Sequence, residues 1–362
     1  MDRTWRWIWA MALALLGCTE SATAEVVKAF SGSDKKIETA DLVPNLPDAE
    51  NGTVKYTFEA YFPDNISIYW SSRLFNFGPG DGKCEAKSRL EIGSRKMRHS
   101  NDLDKGDYKI TAQPLELVFQ DHVLSGGPDG IRIVATGKEY SYDLVFKPTV
   151  KNWRPGNGRV DFGGAGFFDT LLIPPKGTVE GTITVDGETK QVKGSGYGTM
   201  SRSSIAPHDM AKRWLEFRVV RGNTVVFFKE FLTPNRFGDK SIGWLLVAHK
   251  GKVLVATSDY TVEYGDFVTD EKSSQKYRVP QALIIKAKNG ENELTLGIKG
   301  TKQKDRDDVL ANMNAIERAI VSKFAKPITY NYSAAFEVRY TGANPITDTG
   351  KGAVYDISHI NP

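Results

Sequence analysis

The sequence predicts an all-β protein built from two antiparallel β-barrels in tandem, with one helix near the C-terminus. Many short runs alternate apolar and polar residues, and turn residues separate them at spacings typical of barrels. Only one stretch has the periodicity of an amphipathic helix. The 362 residues suit two barrels of roughly 150 residues better than one large sheet.

Residues 1–24 are predicted to be a targeting segment. Arg3 and Arg6 precede an apolar run at 7–16 that is too short to cross a bilayer. Two cleavage sites remain open: before Cys18, where Leu-Leu-Gly-Cys resembles a bacterial lipobox, or after Ala24, which ends a small-x-small site. Either site predicts export to the bacterial cell envelope or periplasm. The first adds a lipid anchor on Cys18 that would hold the protein at the membrane.

Composition and charge exclude several classes of function. The 48 basic and 44 acidic residues are well mixed and give a net charge of +4, so no nucleic-acid partner is predicted. The two cysteines, Cys18 and Cys84, allow no disulfide framework once Cys18 is lipidated or removed, and Cys84 is predicted to be free and buried. The five histidines are scattered, so neither a metal site nor a cofactor is predicted.

The first barrel is predicted at 51–207. Residues 25–50 before it contain Pro44 and Pro47 and are predicted to be either a tether or an irregular lead-in. Strand patterns then follow at short spacing, with glycine-rich turns between them. The predicted strands are 54–61, 66–77, 83–92, 107–119, 130–137, 139–147 and 178–185.

The hairpin around Asp186 and Gly187 has two possible registers. A two-residue Asp-Gly turn sets Ile183 opposite Lys190. A four-residue loop sets Ile183 opposite Val192 and keeps apolar side chains on one face, so the sequence favours the longer loop.

The second barrel is predicted at 208–362. Its strand at 224–231 is apolar on both faces, which indicates burial both in the barrel and against a neighbouring surface. The predicted strands are 214–220, 224–231, 242–248, 252–264, 276–287, 293–299 and 329–340.

One helix is predicted in this half, at 305–324. Acidic residues at its start and a lysine in its last turn suit the helix dipole, and a proline follows it. Its apolar stripe consists of Val309, Met313, Ile316, Ile320 and Phe324. A helix covering the open end of a barrel is the favoured interpretation.

The stretch 193–214 is predicted to be the seam between the barrels and a wall of a ligand site. Gly194, Gly196 and Gly198 alternate, so one face of the strand carries no side chain there. Such a face marks either a barrel corner or the close approach of another group. Polar residues follow, and Pro207 then favours a loop.

The resemblance to a known family rests on five short motifs. They are Asp-Asn-Ile-Ser-Ile-Tyr-Trp at 64–70, Asn-Phe-Gly-Pro-Gly-Asp-Gly-Lys at 76–83, Gly-Ser-Gly-Tyr at 194–197, Arg-Ser-Ser-Ile-Ala-Pro-His at 202–208, and Arg-Trp at 213–214. Over about residues 50–345 the chain resembles the tandem lipocalin-like proteins. That group includes carotenoid 1,2-hydratases (hydroxyneurosporene synthases), AttH-type proteins, fungal survival-factor proteins and some fungal Diels–Alderases. The resemblance implies paired calyx-shaped barrels that handle long apolar molecules.

The chain departs from the hydratase branch at its acid–base motif. That branch has Gly-Tyr-x-Asp-His, whereas Thr199 and Met200 stand here at the aspartate and histidine positions. Neither side chain transfers protons usefully near neutral pH. Hydratase activity is therefore not predicted from the motif, and Tyr197, His208 and Asp209 remain the acid–base candidates.

Five residues are the ligand-binding candidates. Tyr197 could direct its hydroxyl into the pocket or lie in the core, and Arg202 could bind a lipid head group or form a salt bridge to Glu216 or Asp209. His208 could contact ligand or simply hydrogen-bond within its loop. The set is completed by two tryptophans that either line the pocket or belong to the core, Trp70 and Trp214.

The sequence favours an exported binding or carrier protein for a long apolar small molecule, a lipid or an isoprenoid. Two alternatives stay open. The first is an enzyme that hydrates, isomerises or cyclises a polyene. The second is an envelope interaction protein with filled barrels and no ligand.

Overall fold

The computed structural model describes residues 27–76, 80–220, 222–342 and 345–361. These residues divide into two compact units, the first at Lys28–Ile205 and the second from Ala206 onward. The predicted leader, with Cys18 and Ala24, lies outside the described residues. Both units are all-β, so the predicted fold class is confirmed.

The first unit is built on one antiparallel sheet. Its strands are β1 Lys28–Ala29, β2 Thr53–Phe62, β3 Ile66–Phe75, β4 Lys83–Ile92, β5 Arg95–Leu103, β6 Lys109–Ala112, β7 Leu115–Phe119, β8 His122–Gly127, β9 Gly130–Thr136, β10 Tyr140–Val150, β11 Arg159–Asp161, β12 Phe167–Leu172, β13 Lys176–Val185 and β14 Glu188–Ser203. Short 3-10 helices lie at Thr39–Leu42 and Gly163–Ala165.

The sheet of the first unit curls on itself. Its hydrogen-bonded order is β5-β4-β3-β2-β14-β13-β10-β9-β8-β7-β6. Trp70 on β3 donates its indole N–H to Val134 O on β9 at 3.1 Å, and the Tyr142 hydroxyl on β10 donates to Tyr69 O on β3 at 2.9 Å. Strands far apart in the sheet thus meet across one interior, as in a calyx.

The chain ends of the first unit lie side by side. β2 is the first long strand and β14 the last, and they pair antiparallel from Thr53 with Ser203 to Tyr61 with Ser195. The first and last long strands of the unit are therefore neighbours in the middle of its sheet.

Residues 28–43 pack onto the first unit, so of the two interpretations of 25–50, a tether and an irregular lead-in, they match the lead-in. Ile37 and Leu42 are buried in its interior cluster. Trp153 donates its indole N–H to Asp34 at 2.6 Å, and Arg154 forms an ion pair with Asp41 at 2.5 Å. The backbone here is irregular, as the two prolines indicated. The buried apolar residues Ile37 and Leu42 hold it against the first unit.

The β13–β14 hairpin has the two-residue turn, so the longer loop predicted for it is wrong. Ile183 pairs with Lys190 and Val185 with Glu188. Asp186 and Gly187 have φ values of 51° and 87°, as the tight hairpin turn requires. Turn geometry therefore outweighs apolar matching across the strands here, and the Asp186 carboxylate is held by Arg95 at 2.6 Å.

The second unit is a nine-stranded antiparallel sheet of order β18-β17-β16-β15-β23-β22-β21-β20-β19 within the described residues. Its strands are β15 Arg213–Val219, β16 Thr224–Leu232, β17 Ser241–His249, β18 Lys252–Thr257, β19 Tyr260–Thr269, β20 Arg278–Asn289, β21 Asn292–Asp308, β22 Ile328–Tyr340 and β23 Ile346–His359. As in the first unit, the terminal strands pair: Arg213 lies opposite His359.

The second sheet also curls. The edge strand β19 reaches back to β16, where the Phe228 and Tyr260 rings lie 5.2 Å apart edge to face. Tyr355 on β23 donates its buried hydroxyl to Pro280 O on β20 at 3.0 Å. β16 is buried on both faces from Thr224 to Phe228, as its sequence indicated.

The predicted helix at 305–324 is shorter than expected. Residues 305–308 continue β21, whose partner β22 pairs Ile328 with Asp308. A 3-10 turn follows at Val309–Asn312, and the helix α2 spans only Ala315–Val321. Asp308 caps the turn through Ala311 N at 3.2 Å, so the acidic run ends a strand instead of starting a helix.

The remaining helices of the second unit are a short one, α1 at Pro207–Met210, and a 3-10 turn at Asn235–Phe237. Among the described residues, every helix falls short of the length and apolar character that a membrane span needs.

Candidate functional site

The three alternating glycines of β14 make room for aromatic rings inside the first unit. A Cβ at Gly196 would lie 2.7 Å from the Phe146 ring, and one at Gly198 would lie 2.3 Å from the Phe58 ring. Those rings pack edge to face at 5.3 Å. The glycines therefore serve close packing of the first unit's interior, the barrel-geometry interpretation of the pattern.

Tyr197 and Met200 lie on opposite faces of β14. Met200 belongs to the apolar interior cluster of the first unit and is 1% exposed. Tyr197 is buried too, but it alternates with the glycines and so faces away from that interior. The position that would carry an acid–base histidine in the hydratase branch is thus filled by a core methionine.

Trp70 belongs to the core of the first unit. It is fully buried, its indole N–H is bonded to Val134, and its ring packs against Phe58 at 6.0 Å. This placement matches the core interpretation of the tryptophan.

Arg202 forms an ion pair with Asp169 at 3.2 Å, a different partner from the two that the sequence suggested. Asp169 also receives two hydrogen bonds from Arg159, at 2.7 and 3.0 Å. The arginine is therefore part of a structural network on β12 and β14.

His208 and Asp209 lie on α1 in the second unit, with Nε2 and Oδ2 3.6 Å apart. Asp209 is paired with Arg236 at 3.0 Å, and the His208 ring packs near Phe324 at 6.5 Å. Burial lowers the pKa of His208. The pair joins α1 to neighbouring loops, which suits the hydrogen-bonding role weighed for it.

Trp214 lies on the outer face of β15. Its neighbour Leu215 faces the interior cluster, so Trp214 faces the other way. Lys229 stacks over its ring at 4.7 Å. The five candidates thus divide between two units and several faces, and neither unit collects them into one site.

A buried polar cluster that sequence reasoning missed joins four strands of the first unit. Ser88 on β4 lies 2.8 Å from the Tyr140 hydroxyl and 3.0 Å from His122 Nε2. His99 stacks on His122 at 5.3 Å and contacts Asp121 at 3.2 Å. Ser88 and His122 are 3% and 0% exposed, so this hydroxyl–imidazole pair is a structural link across the interior.

The interior of the second unit is apolar, and the inward side chains of its edge strand β19 are partly exposed. Thr261 and Glu263 point outward and are exposed, whereas Tyr260, Val262 and Tyr264 pack against the interior cluster and remain partly exposed.

Polar groups lie at one end of this interior. They belong to four residues, here called the Glu230 cluster: Arg213, Glu230, Tyr260 and Tyr264. Glu230 is opposite the interior residue Leu215 and follows Val226 and Phe228 on the inward face of β16. Arg213 Nη2 approaches Glu230 Oε1 at 3.3 Å, and its guanidinium lies 4.6 Å above the Tyr264 ring. The Tyr264 hydroxyl also donates to Oε1.

Glu230 has one carboxylate oxygen without a hydrogen bond. Its side chain is 1% exposed, Oε1 accepts from two groups, and Oε2 accepts from no described residue. Burial and the nearby carboxylate raise the pKa of Tyr260 and Tyr264, so both hydroxyls stay neutral. Burial and Arg213 lower the pKa of the neighbouring His359 to about 4. The result is a buried, hydrogen-bonding end to an apolar interior.

The sequence carried one signal of this cluster. Glu230 is a charged residue on the same face of β16 as Val226 and Phe228, because alternate residues of a strand share a face. The sequence of this strand otherwise indicates burial on both faces. A charge in such a position is rarely buried without a partner or a function. Its partners come from β15 and β19, which no local pattern connects to it. Within the described residues, no three His, Cys, Asp or Glu side chains are grouped as a metal site.

Comparison with known proteins identifies relatives of this chain. The Svf1 family profile matches residues 170–356, a range that contains the whole Glu230 cluster. Two proteins named ceramide-binding protein svf1 are similar: that of Emericella nidulans is 24% identical over 165 residues, and that of Schizosaccharomyces pombe 25% over 166 residues. Each alignment covers 44% of this chain and 43% of the relative, so the chain spans less than half the length of these proteins.

Solved structures share the fold. An AttH protein from Nitrosomonas europaea superposes with a TM-score of 0.53 at 15% identity, covering 89% of this chain and 96% of that one. CghA in complex with Sch210972 gives a TM-score of 0.55 at 10% identity, covering 93% and 98%. These similarities show the tandem lipocalin-like fold, as the resemblance implied.

Proposed function

Because the chain belongs to the Svf1 family, we propose that it binds a long-chain lipid of the ceramide class in the interior of its second unit. The similar proteins of Emericella nidulans and Schizosaccharomyces pombe are named for ceramide binding. One observation carries the proposal. An apolar interior, whose edge strand β19 carries partly exposed side chains, ends in a buried carboxylate with one oxygen that accepts no hydrogen bond from a described residue.

The apolar part of the interior suits an acyl chain. Phe217, Phe228, Leu245, Leu283 and Leu296 face it and are buried. Each methylene transferred there from water contributes about 0.8 kcal/mol, so affinity can grow with chain length without specific contacts.

The polar end suits a head group. A ligand pocket is typically apolar with a few placed polar groups that fix orientation. Arg213, Glu230 and the tyrosine hydroxyls are such groups, and they come from three strands that the curl of the sheet brings together.

Lipid recovered from the purified protein tests this proposal. We expect native mass spectrometry and lipid extraction to find one long-chain lipid per chain, unchanged by incubation. Replacing the inward Leu296 by Trp should reduce its occupancy because the ring would fill the interior. Replacing the outward Lys286, which pairs with Glu263 at 3.0 Å, by Ala is the matched control. Protein free of lipid that also takes up none would refute the function, and a converted lipid would indicate an enzyme instead.

The same proposal includes export to the cell envelope through the leader predicted at residues 1–24. The intact mass of the mature protein measures this directly. A lipidated chain beginning at Cys18 and an unmodified chain beginning at Glu25 correspond to the two predicted cleavage sites, and an unprocessed chain would exclude export by this leader.

A further inference from the structure

We propose that Glu230 makes the second unit selective for uncharged lipids whose head group carries a hydrogen-bond donor, an amide N–H or a hydroxyl. Fatty acids and phosphate-bearing lipids are excluded. This inference rests on the proposed function, since it concerns which lipids enter the same interior.

The charges of the Glu230 cluster disfavour anionic lipids. Arg213 is the cation of the cluster, and Glu230 already pairs with it at 3.3 Å. Their side chains are only 15% and 1% exposed, so solvent screens them little. A carboxylate or phosphate brought beside Glu230 would meet a like charge in a poorly screened environment, which is strongly unfavourable. Arg213 therefore cannot act as an anion receptor while Glu230 is present.

The unpaired oxygen of Glu230 can bond only to a ligand group that donates a hydrogen bond. Carboxylate oxygens accept and never donate, and each has room for more than one donor. Oε1 takes Arg213 and Tyr264, whereas Oε2 is shielded from solvent and is bonded by no described residue. A buried acceptor left unpaired is costly, so a ligand that brings a donor gains this bond and one without a donor does not.

The side chains along β19 leave a path by which a head group can reach Glu230. Gly243 lies opposite Glu230 in β17, and a Cβ there would be 2.3 Å from the Tyr260 hydroxyl. The missing side chain lets the Tyr260 hydroxyl approach the Glu230 backbone. Tyr260 also packs against Phe228 in the apolar interior and keeps partial exposure. A head group reaching Glu230 along β19 would thus leave its acyl chain among apolar side chains.

Competition between matched lipids measures the selectivity. The probe is a fluorescent long-chain N-acyl aminodiol. The competitors are its unlabelled parent, the donor-free form methylated on the amide nitrogen and on both hydroxyl oxygens, and palmitate. We expect the parent to compete at least about tenfold better than the donor-free form, because a buried bond to a charged acceptor is lost. Palmitate should compete weakest.

The variant Glu230→Gln should reverse this order. Its amide keeps the shape of the side chain, presents a donor to the ligand and leaves Arg213 without its carboxylate, so palmitate should gain at least about tenfold over the parent lipid. Glu216→Gln is the control: it makes the same change on the outward face of β15, where Glu216 pairs with Lys229 at 2.5 Å, and should leave the order unchanged.

The outcomes separate the two proposals. If no lipid binds, the proposed function fails. If all three competitors bind the wild-type protein equally well, the function stands and the selectivity by Glu230 is wrong. The wild-type comparison decides this even where Glu230→Gln does not fold. A folded Glu230→Gln that keeps the wild-type order also overturns the inference.

Discussion

His122 is the residue in the first unit whose burial has a measurable pH consequence. Ser88, Tyr140, His99 and the Asp121 carboxylate surround it from β4, β10, β5 and the β7–β8 turn. Burial, and then the adjacent His99, lower its pKa from 6.5 to about 4, whereas Asp121 acts weakly in the opposite direction. Between pH 6.5 and about 4, the His122 imidazole is therefore neutral in the folded unit, whereas in the unfolded chain it is already protonated.

Acidification should destabilise the protein through this residue. Stability is fully present above pH 6.5 and falls as the pH drops toward 4, because the unfolded state binds the proton first. Between pH 7.5 and 5.0 the loss from His122 is about 2 kcal/mol. His122→Gln can still bond Ser88 and cannot be protonated. The free energy of unfolding in urea should therefore differ between pH 7.5 and 5.0 by about 2 kcal/mol less in this variant than in the wild-type protein. An unchanged difference would contradict the assignment of a neutral His122.

At the scale of one element, β14 shows what its glycines do. Gly196→Ala would place a Cβ 2.4 Å from Glu59 O and 2.7 Å from the Phe146 ring, and the backbone oxygen cannot move aside without breaking the sheet. We expect a loss of about 1–3 kcal/mol in the free energy of unfolding. Gly130→Ala, in β9 of the same sheet, meets no atom within 4 Å and should change stability by less than about 0.5 kcal/mol. Equal stability of the two variants would refute the packing role.

Elements were predictable wherever a local pattern determined them. The alternation of 54–61 correctly gave β2, and the doubly apolar 224–231 gave β16, because side-chain periodicity follows directly from strand geometry. The hairpin register and the helix start were wrong for local reasons. An Asp-Gly turn imposed its own geometry, and β22 extended pairing through the acidic residues that looked like a helix start.

The candidate site was not predictable at the same level. Arg213, Glu230 and Tyr264 are polar residues on three strands, and only the curl of the whole sheet brings them together. Of the motifs that carried the resemblance, one contributes Arg213 of the Glu230 cluster, whereas others contribute the core residue Trp70 and the ion-paired Arg202. A family motif can therefore identify the fold while most of the ligand-facing chemistry lies elsewhere.

At the scale of the whole molecule, Cys84 reports on one unit only. It is a free thiol, 1% exposed in the interior of the first unit, and burial raises its pKa well above the usual range. In a Cys18→Ser background, we expect a thiol reagent to label Cys84 only when the first unit opens, because the thiolate is the reactive form.

Pulsed labelling across a urea series checks this expectation. The midpoint of Cys84 labelling should coincide with the unfolding transition that His122→Gln shifts, since both residues lie in the first unit. The labelling rate of Cys84 in protein that is fully unfolded in urea is the reference rate. Labelling in native buffer at that reference rate would mean that the thiol is not enclosed.

The pairing of β15 with β23 has a consequence for the gene as well as for the protein. In the second unit the first strand, β15, is hydrogen-bonded to the last strand, β23, so the ends of this unit could be joined by a short linker and new ends opened at a surface turn such as Asn289-Gly290. A circularly permuted unit would keep every strand neighbour it has now. Gene duplication or recombination at these paired ends could likewise copy or exchange a calyx without changing the strand order of its sheet.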